Sequence, residues 1–236
     1  MIKFERTSVL NFENAIRGAR NPMNSWAKSD SDWCCGLDCM YCHLFKGDGS
    51  DCGIDELTKG MEKPYVIGPN DMDLLKRLRK AGSDHRKFMR QIFVSVDITA
   101  PIYFYKEFDT YKVATVANST STMHKIHAKP FSIDDFSTDH MTEPAKKFME
   151  TVMVPYLESI RRRYMNEGKD KEDWYDLIQL LPSSYNQMRT VTLNYETLVN
   201  MYHARKSHKL EEWHTLCSWI ESLPYAKELI IAQEEE

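Results

Sequence analysis

LPSSYNQMRTVTLNYETLVNMYHAR, residues 181–205, sets a helix-stopping Leu-Pro before a polar turn and then opens a new helix. Pro182 ends what precedes it, because its ring disfavours helical geometry at Leu181 and it has no N–H to donate. Ser183 to Arg189 reads as a turn of hydroxyl and amide groups. Asn194 places an acceptor at the start of the next helix, and Arg205 lies near its end. The two are eleven residues apart, about three turns at 3.6 residues each, so the spacing allows both on one side. In one reading the guanidinium clamps a phosphate and the amide reads a base or ribose edge. In the other, Asn194 only caps the helix and Arg205 only neutralises its C-terminal end. Spacing alone favours the second.

Working outward, Gln91 to Thr99 alternates with Ile92, Val94, Val96 and Ile98 on one side, and this predicts a strand that Ala100-Pro101 breaks. Helices are predicted over Ser8–Arg20, over Asn70–Ala81 with Asn70 or Asp71 as the cap, and over Glu143–Asn166, where Pro155 should kink or divide the helix. Further helices are expected over Lys171–Leu181, Asn194–Arg205 and Leu210–Leu223. The period leaves Ile102 to Lys112 open between strand and helix, and the polar run Thr115 to Thr122 reads as a loop. The aromatics Tyr103, Phe104, Tyr105, Phe108 and Tyr111 suit a core, or stacking on a ring ligand. Many helices and few strands, not in strict alternation, favour an α+β class in one domain spanning 1–236.

Hydrophobic residues make up 42% of the chain and charged residues 28%, an ordinary balance for a globular protein. No apolar run approaches the roughly 18 residues of a membrane span, so no membrane association is expected. The first twenty residues are charged from the third onward and have no apolar core, which predicts no signal peptide and a cytoplasmic protein. A net charge of -4 disfavours sequence-independent nucleic-acid binding.

Glycine and cysteine concentrate in one irregular surface loop at about 30–68, where five of the six cysteines lie between Cys34 and Cys52. Cys35, Cys39 and Cys42 have the spacing of radical-SAM iron-sulfur ligands, but nothing here supplies the barrel such chemistry occupies. Cys35, Cys39, Cys42 and Cys52, beside Cys34 and His43, offer ligands for a structural zinc. A reduced loop without metal is the plainer reading.

The spaced Leu-Pro, Asn, Leu and Arg of residues 181–205 resemble the C-terminal part of the flavin-dependent thymidylate synthases, the ThyX family. The resemblance extends, in order, to Ala15-Ile-Arg-Gly-Ala-Arg20, to Asp71–Gly82 with His85 and Phe88, and to Ala100-Pro101-Ile102. It covers about Ser8 to Trp219 and leaves out the cysteine loop and the acidic tail. The family signature has Arg-His-Arg, two residues, Ser, one residue, Asn-Glu, one residue, Ser, one residue, Arg-Tyr. Thr110 to Met123 keeps only Asn118 and Ser121 of it, with a shift of one residue. Thr110 and Thr122 or Met123 replace arginines that hold phosphates in the family, Ser119 replaces the glutamate, and Lys112 stands in as a point charge without the planar fork.

The resemblance implies a central, mostly antiparallel sheet packed with several long helices, and a homotetramer. It implies reductive methylation of dUMP or a related pyrimidine deoxynucleotide, with FAD, NADPH and methylenetetrahydrofolate, and no cysteine nucleophile. His85, Lys112, Asn118 and Asn194 are the expected flavin residues, and Ser121, Arg189 and Arg205 the expected nucleotide residues. The sequence assigns no catalytic residue. The missing arginines favour an alternative, a catalytically inactive or repurposed nucleotide-binding protein on the same scaffold.

Overall fold

Val94, Val96, Ile98 and Ala100 are buried while Ser95, Asp97 and Thr99 between them are half-buried, so the alternation at this stretch is that of a strand with one face in the core. The computed structural model describes residues 2–33 and 65–232. In chain order its elements are β1 (Lys3–Leu10), α1 (Phe12–Arg20), β2 (Asp32–Trp33), β3 (Tyr65–Val66), α2 (Pro69–Lys80), β4 (Phe93–Pro101) and α3 (Ile102–Phe108). They continue with β5 (Val116–Ser119), α4 (Glu143–Phe148), α5 (Val154–Asn166), α6 (Lys171–Gln179), β6 (Asn186–Asn194), α7 (Tyr195–Arg205) and α8 (Glu211–Glu221). One four-stranded sheet has the order β1-β4-β6-β5, and β2 and β3 form a separate pair. The class is α+β, with an antiparallel sheet and several helices.

The described residues form two compact units, one from residues 2–8, 95–193 and 201–220, the other from 9–33, 65–94, 194–200 and 221–232. In the first, β4 ends at Pro101, which needs no ladder donor there, and the chain turns directly into α3. The first amides of α3 have no partner within the helix. Ile102 and Tyr103 instead donate to the carbonyls of Tyr185 and Ser183, both at 3.0 Å. The aromatic run is therefore helix. Phe104, Tyr105 and Phe108 are fully buried with Trp213 of α8, and Phe104 meets Trp213 at 4.8 Å between ring centres.

Three strands of the four-stranded sheet escape the sequence pattern. β1 covers residues 8–10, which the pattern placed in a helix. Asn11, at φ 77°, makes the turn before Phe12, in a conformation asparagine tolerates better than most residues. β5 lies in the stretch read as a loop and pairs antiparallel with β6, Asn118 opposite Thr190 and Ser119 opposite Arg189. β6 begins at Asn186, inside the stretch read as a polar turn.

The long helix divides as Pro155 predicts. Between α4 and α5 the backbone makes a π turn, Met149–Met153, in which the Val154 N–H donates to the Met149 carbonyl. Beneath it lies a second core of the same unit, built on Phe131, Phe136, Leu157, Ile160 and Leu177. Glu158 ties a loop to this layer by accepting from the Phe131 amide at 3.0 Å and from Arg161 at 2.7 Å. The Arg161 hydrogen bond, opposed by burial, holds the Glu158 carboxyl down at about 2. A carboxyl depressed in the folded state stabilises the protein above its ordinary value and loses that contribution as pH falls toward the folded one. Urea midpoints of the wild type should thus drop between pH 4.5 and 2 by more than those of Glu158→Gln, and equal drops would refute the assignment.

In the second unit, α1 buries Phe12, Ala15 and Ile16, with the Phe12 ring edge-on to Tyr195 and Tyr225. Neither Asn70 nor Asp71 caps α2. The Asp30 carboxylate accepts from the amides of Asn70 and Asp71 at 2.8 and 3.0 Å, and Gly68 takes the cap position. A Cβ on Gly68 would lie 2.3 Å from the Asp30 carbonyl, so only glycine fits. Asp71 is fully buried instead and receives Arg20, Ser29 and Ser31. Arg79 donates to the carbonyls of Leu229, Ile230 and Ala232 and so fastens the C-terminal π turn, Lys227–Ile231, to α2.

Candidate functional site

Within the first unit, the start of β6, the turn after β5 and helix α4 enclose an open cleft of about 990 Å³. Thr99 and Lys3 line it from the sheet, Thr120 and Ser121 from the end of β5, and Lys146 and Glu150 from α4 and the π turn. Tyr185, just before β6, and Asn186 and Met188 of β6 close it, and Phe136 belongs to the second core beneath. Lys125 and Lys129 follow Ser121 in sequence, so one short segment delivers hydroxyls and cations to the same wall. Lys129 is paired with Asp135, and that hydrogen bond raises its ammonium above the ordinary value. Burial raises the Tyr185 hydroxyl, so it stays protonated at neutral pH.

Ser121 is the expected nucleotide residue that reaches this cleft. Its Oγ accepts from the amides of His124 at 2.8 Å and Met123 at 3.3 Å, which fixes the turn that brings Lys125 round. Asn118 sits three residues earlier, exposed on β5, at the edge of the sheet. Lys112 is exposed in the connection from α3 to β5.

Arg189 and Arg205 are engaged elsewhere in the same unit. Arg189 donates to Asp109 at 2.7 Å and to Gln187 at 3.1 Å, and its guanidinium lies 3.7 Å from the centre of the Tyr105 ring. Burial pushes the Tyr105 hydroxyl up, against the opposing charge of Arg189. Arg205 pairs with Glu107, donates to the Tyr111 hydroxyl at 2.8 Å and packs 4.8 Å from the centre of Trp213. The other Glu107 oxygen accepts from the Trp213 indole at 3.1 Å and faces His208 at 3.2 Å. Both guanidiniums are thus matched by a carboxylate and an aromatic face. Glu212 of α8 is buried and accepts from Tyr103.

Asn194 and His85 belong to the second unit. Asn194 is 2% exposed; its oxygen accepts from the Thr197 amide at 2.9 Å, and its amide donates to the Arg90 carbonyl at 3.3 Å. That is a helix cap three residues before its donor. His85 is exposed, three residues past the positive φ of Gly82 in a turn. Cys35, Cys39, Cys42 and Cys52 lie outside the described residues. Among the described residues no group of three His, Cys, Asp or Glu side chains is placed to hold a metal.

No family model matches the sequence, and no curated protein matches it either. Solved structures do match its shape. The fold is that of the flavin-dependent thymidylate synthases. A Helicobacter pylori ThyX complexed with FAD and dUMP superposes with a TM-score of 0.64 at 16% identity, over 97% of each chain. A second Helicobacter pylori ThyX structure with FAD and dUMP gives 0.63 at 15% identity, over 100% of this chain and 99% of the other. In this ThyX-like fold the stretch Thr110 to Met123 leaves the end of α3, passes along β5 and enters the cleft at Thr120 and Ser121. Among the described residues no helix is long and apolar enough to cross a membrane.

The cleft lysines and the carboxylate partners of the two arginines were missed by the sequence reading. Lys125 and Lys129, four residues apart just after the one signature serine that survives, were the available signal.

Proposed function

We propose that this chain binds a pyrimidine deoxynucleotide and a flavin on its ThyX-like scaffold and methylates the pyrimidine reductively, in a cytoplasmic homotetramer. The carrying observation is a likeness spanning the whole chain to proteins complexed with FAD and dUMP. The cleft fits such ligands in size and chemistry, with hydroxyls and cations for phosphate and a partly apolar wall at Phe136, Tyr185 and Met188 for a ring. Ser121 is the nucleotide residue of that wall. Lys112 and Asn118, both exposed, are the flavin residues of the first unit, and in the second Asn194 acts by holding the start of α7. FAD, when bound, supplies the redox equivalents, with NADPH as its reductant and methylenetetrahydrofolate as the carbon donor. The protein's part is to hold the pyrimidine in one orientation and keep water from its reacting face.

The test uses the purified full-length chain. FAD should bind with a shifted flavin spectrum, and dUMP labelled with tritium at C5 should release the label when folate and reductant are added. A protein that takes up neither FAD nor dUMP would sink the proposal.

One observation favours a second reading, binding without turnover. Glu107 and Asp109 already neutralise Arg205 and Arg189, which leaves the arginines little charge for a ligand. Nucleotide binding with no tritium release selects that reading.

A further inference from the structure

The anionic end of a nucleotide needs cations that are not already matched. Arg205 and Arg189 do not meet that condition, since each sits against a carboxylate and over an aromatic ring. Three cleft lysines do. Lys3 comes from β1, Lys125 from the turn after Ser121 and Lys146 from α4, so they approach from three sides of one concave surface. Among the described residues none of the three has an ion-pair partner, whereas Lys129 is taken by Asp135. Two residues past Lys125, burial and then the charges of Lys169, Lys125 and Arg161 lower the pKa of His127.

The cleft is not uniformly basic. Asp134, Asp139 and Glu150 also line it, and Asp139 has partners of its own. A polyphosphate would meet those carboxylates and be repelled. A ligand with one phosphate and several hydroxyls suits the mixture better, because carboxylates accept from sugar hydroxyls while ammonium groups take the phosphate.

We propose, on the nucleotide-binding reading above, that Lys3, Lys125 and Lys146 hold the phosphate of a deoxynucleoside monophosphate, and that Arg189 and Arg205 are structural. This moves the phosphate site away from Arg189 of β6 and Arg205 of α7. It also explains how a chain that lacks the signature arginines keeps a cation set at Ser121.

The experiment compares dUMP with deoxyuridine, by calorimetric titration of the full-length protein with each. The ratio of their affinities isolates the phosphate from the base and sugar. Lys125→Gln and Lys146→Gln should each lower that ratio by about tenfold, the effect of losing roughly one charge-assisted hydrogen bond. Lys147→Gln, next along α4 and outside the cleft, serves as the control and should leave it unchanged. Lys125 and Lys147 are exposed and Lys146 is half-buried, and circular dichroism checks that each variant folds. A ratio that survives both cleft substitutions overturns the proposal, as does one erased by Arg205→Lys alone. Equal binding of dUMP and deoxyuridine by the wild type overturns it while leaving a pyrimidine site in place. Binding of neither removes the reading on which it rests.

Discussion

Asp71→Ala should destabilise the protein by about 3–5 kcal/mol, the largest loss expected from any single polar substitution in the second unit. Arg20 and Asp71 are paired at 2.5 Å with side chains 5% and 0% exposed. One Asp71 oxygen also accepts from both Ser29 and Ser31 hydroxyls and from the amides of Asp30 and Ser31. Removing the carboxylate leaves a buried guanidinium without its partner and strips two amides and two hydroxyls of their acceptor. Burial pushes the Asp71 carboxyl up, but the hydrogen bonds from Ser31, Ser29 and Arg20 together outweigh it and hold it below its ordinary value. Its contribution is therefore complete above the ordinary carboxylate range and fades as pH falls below it. Urea unfolding at pH 7 reads the loss, and Asp71→Asn should flatten the acid limb of the stability curve. A loss under about 1 kcal/mol would show that Asp71 is not the centre of this unit.

Trp213→Ala should cost the first unit about 3–5 kcal/mol, as expected for emptying the site of a fully buried aromatic. Trp213 is 0% exposed, and its ring lies against Phe104 on one side and the Arg205 guanidinium on another. Its indole N–H is also one of the groups that orient Glu107. Trp213→Phe separates the two roles: it keeps most of the packed area and leaves one Glu107 oxygen without the indole. The phenylalanine variant should lose well under half as much stability as the alanine variant, measured by thermal unfolding. Equal losses would mean that the Glu107 bond, rather than the packing, holds this corner.

The elements legible in the sequence are those in which burial and period agree. α2 was read over 70–81 and forms at Pro69–Lys80, and β4 was read over 91–99 and forms at Phe93–Pro101. The three strands missed in the four-stranded sheet lack a clean apolar alternation. β5 is four exposed residues at the sheet edge, so its sequence answers to solvent and to backbone pairing rather than to a core. β6 buries Gln187 on the face it shares with Val191 and Leu193, a polar residue where the period wants an apolar one. β1 carries a left-handed residue, Arg6 at φ 53°, which breaks its register of faces.

At the cleft, Ser121 is the residue singled out by the resemblance that lies on the lining. The engagement of Arg189 and Arg205 was not legible, since Asp109 and Glu107 lie about eighty and a hundred residues away in sequence. The capping role of Asn194 was one of two readings open from spacing, and the contact to the Thr197 amide gives it physical content.

The π turn at Met149–Met153 has a bearing on the cleft. A helix advances about 100° per residue, so a wide turn rephases everything on one side of it against everything on the other. The second core fixes the C-terminal side through Leu157 and Ile160, and Lys146 lies on the N-terminal side. The angle at which that lysine enters the cleft is set by how many residues the chain spends between the two. What these five positions contribute is first of all a count, which no substitution alters and a single deletion changes at once.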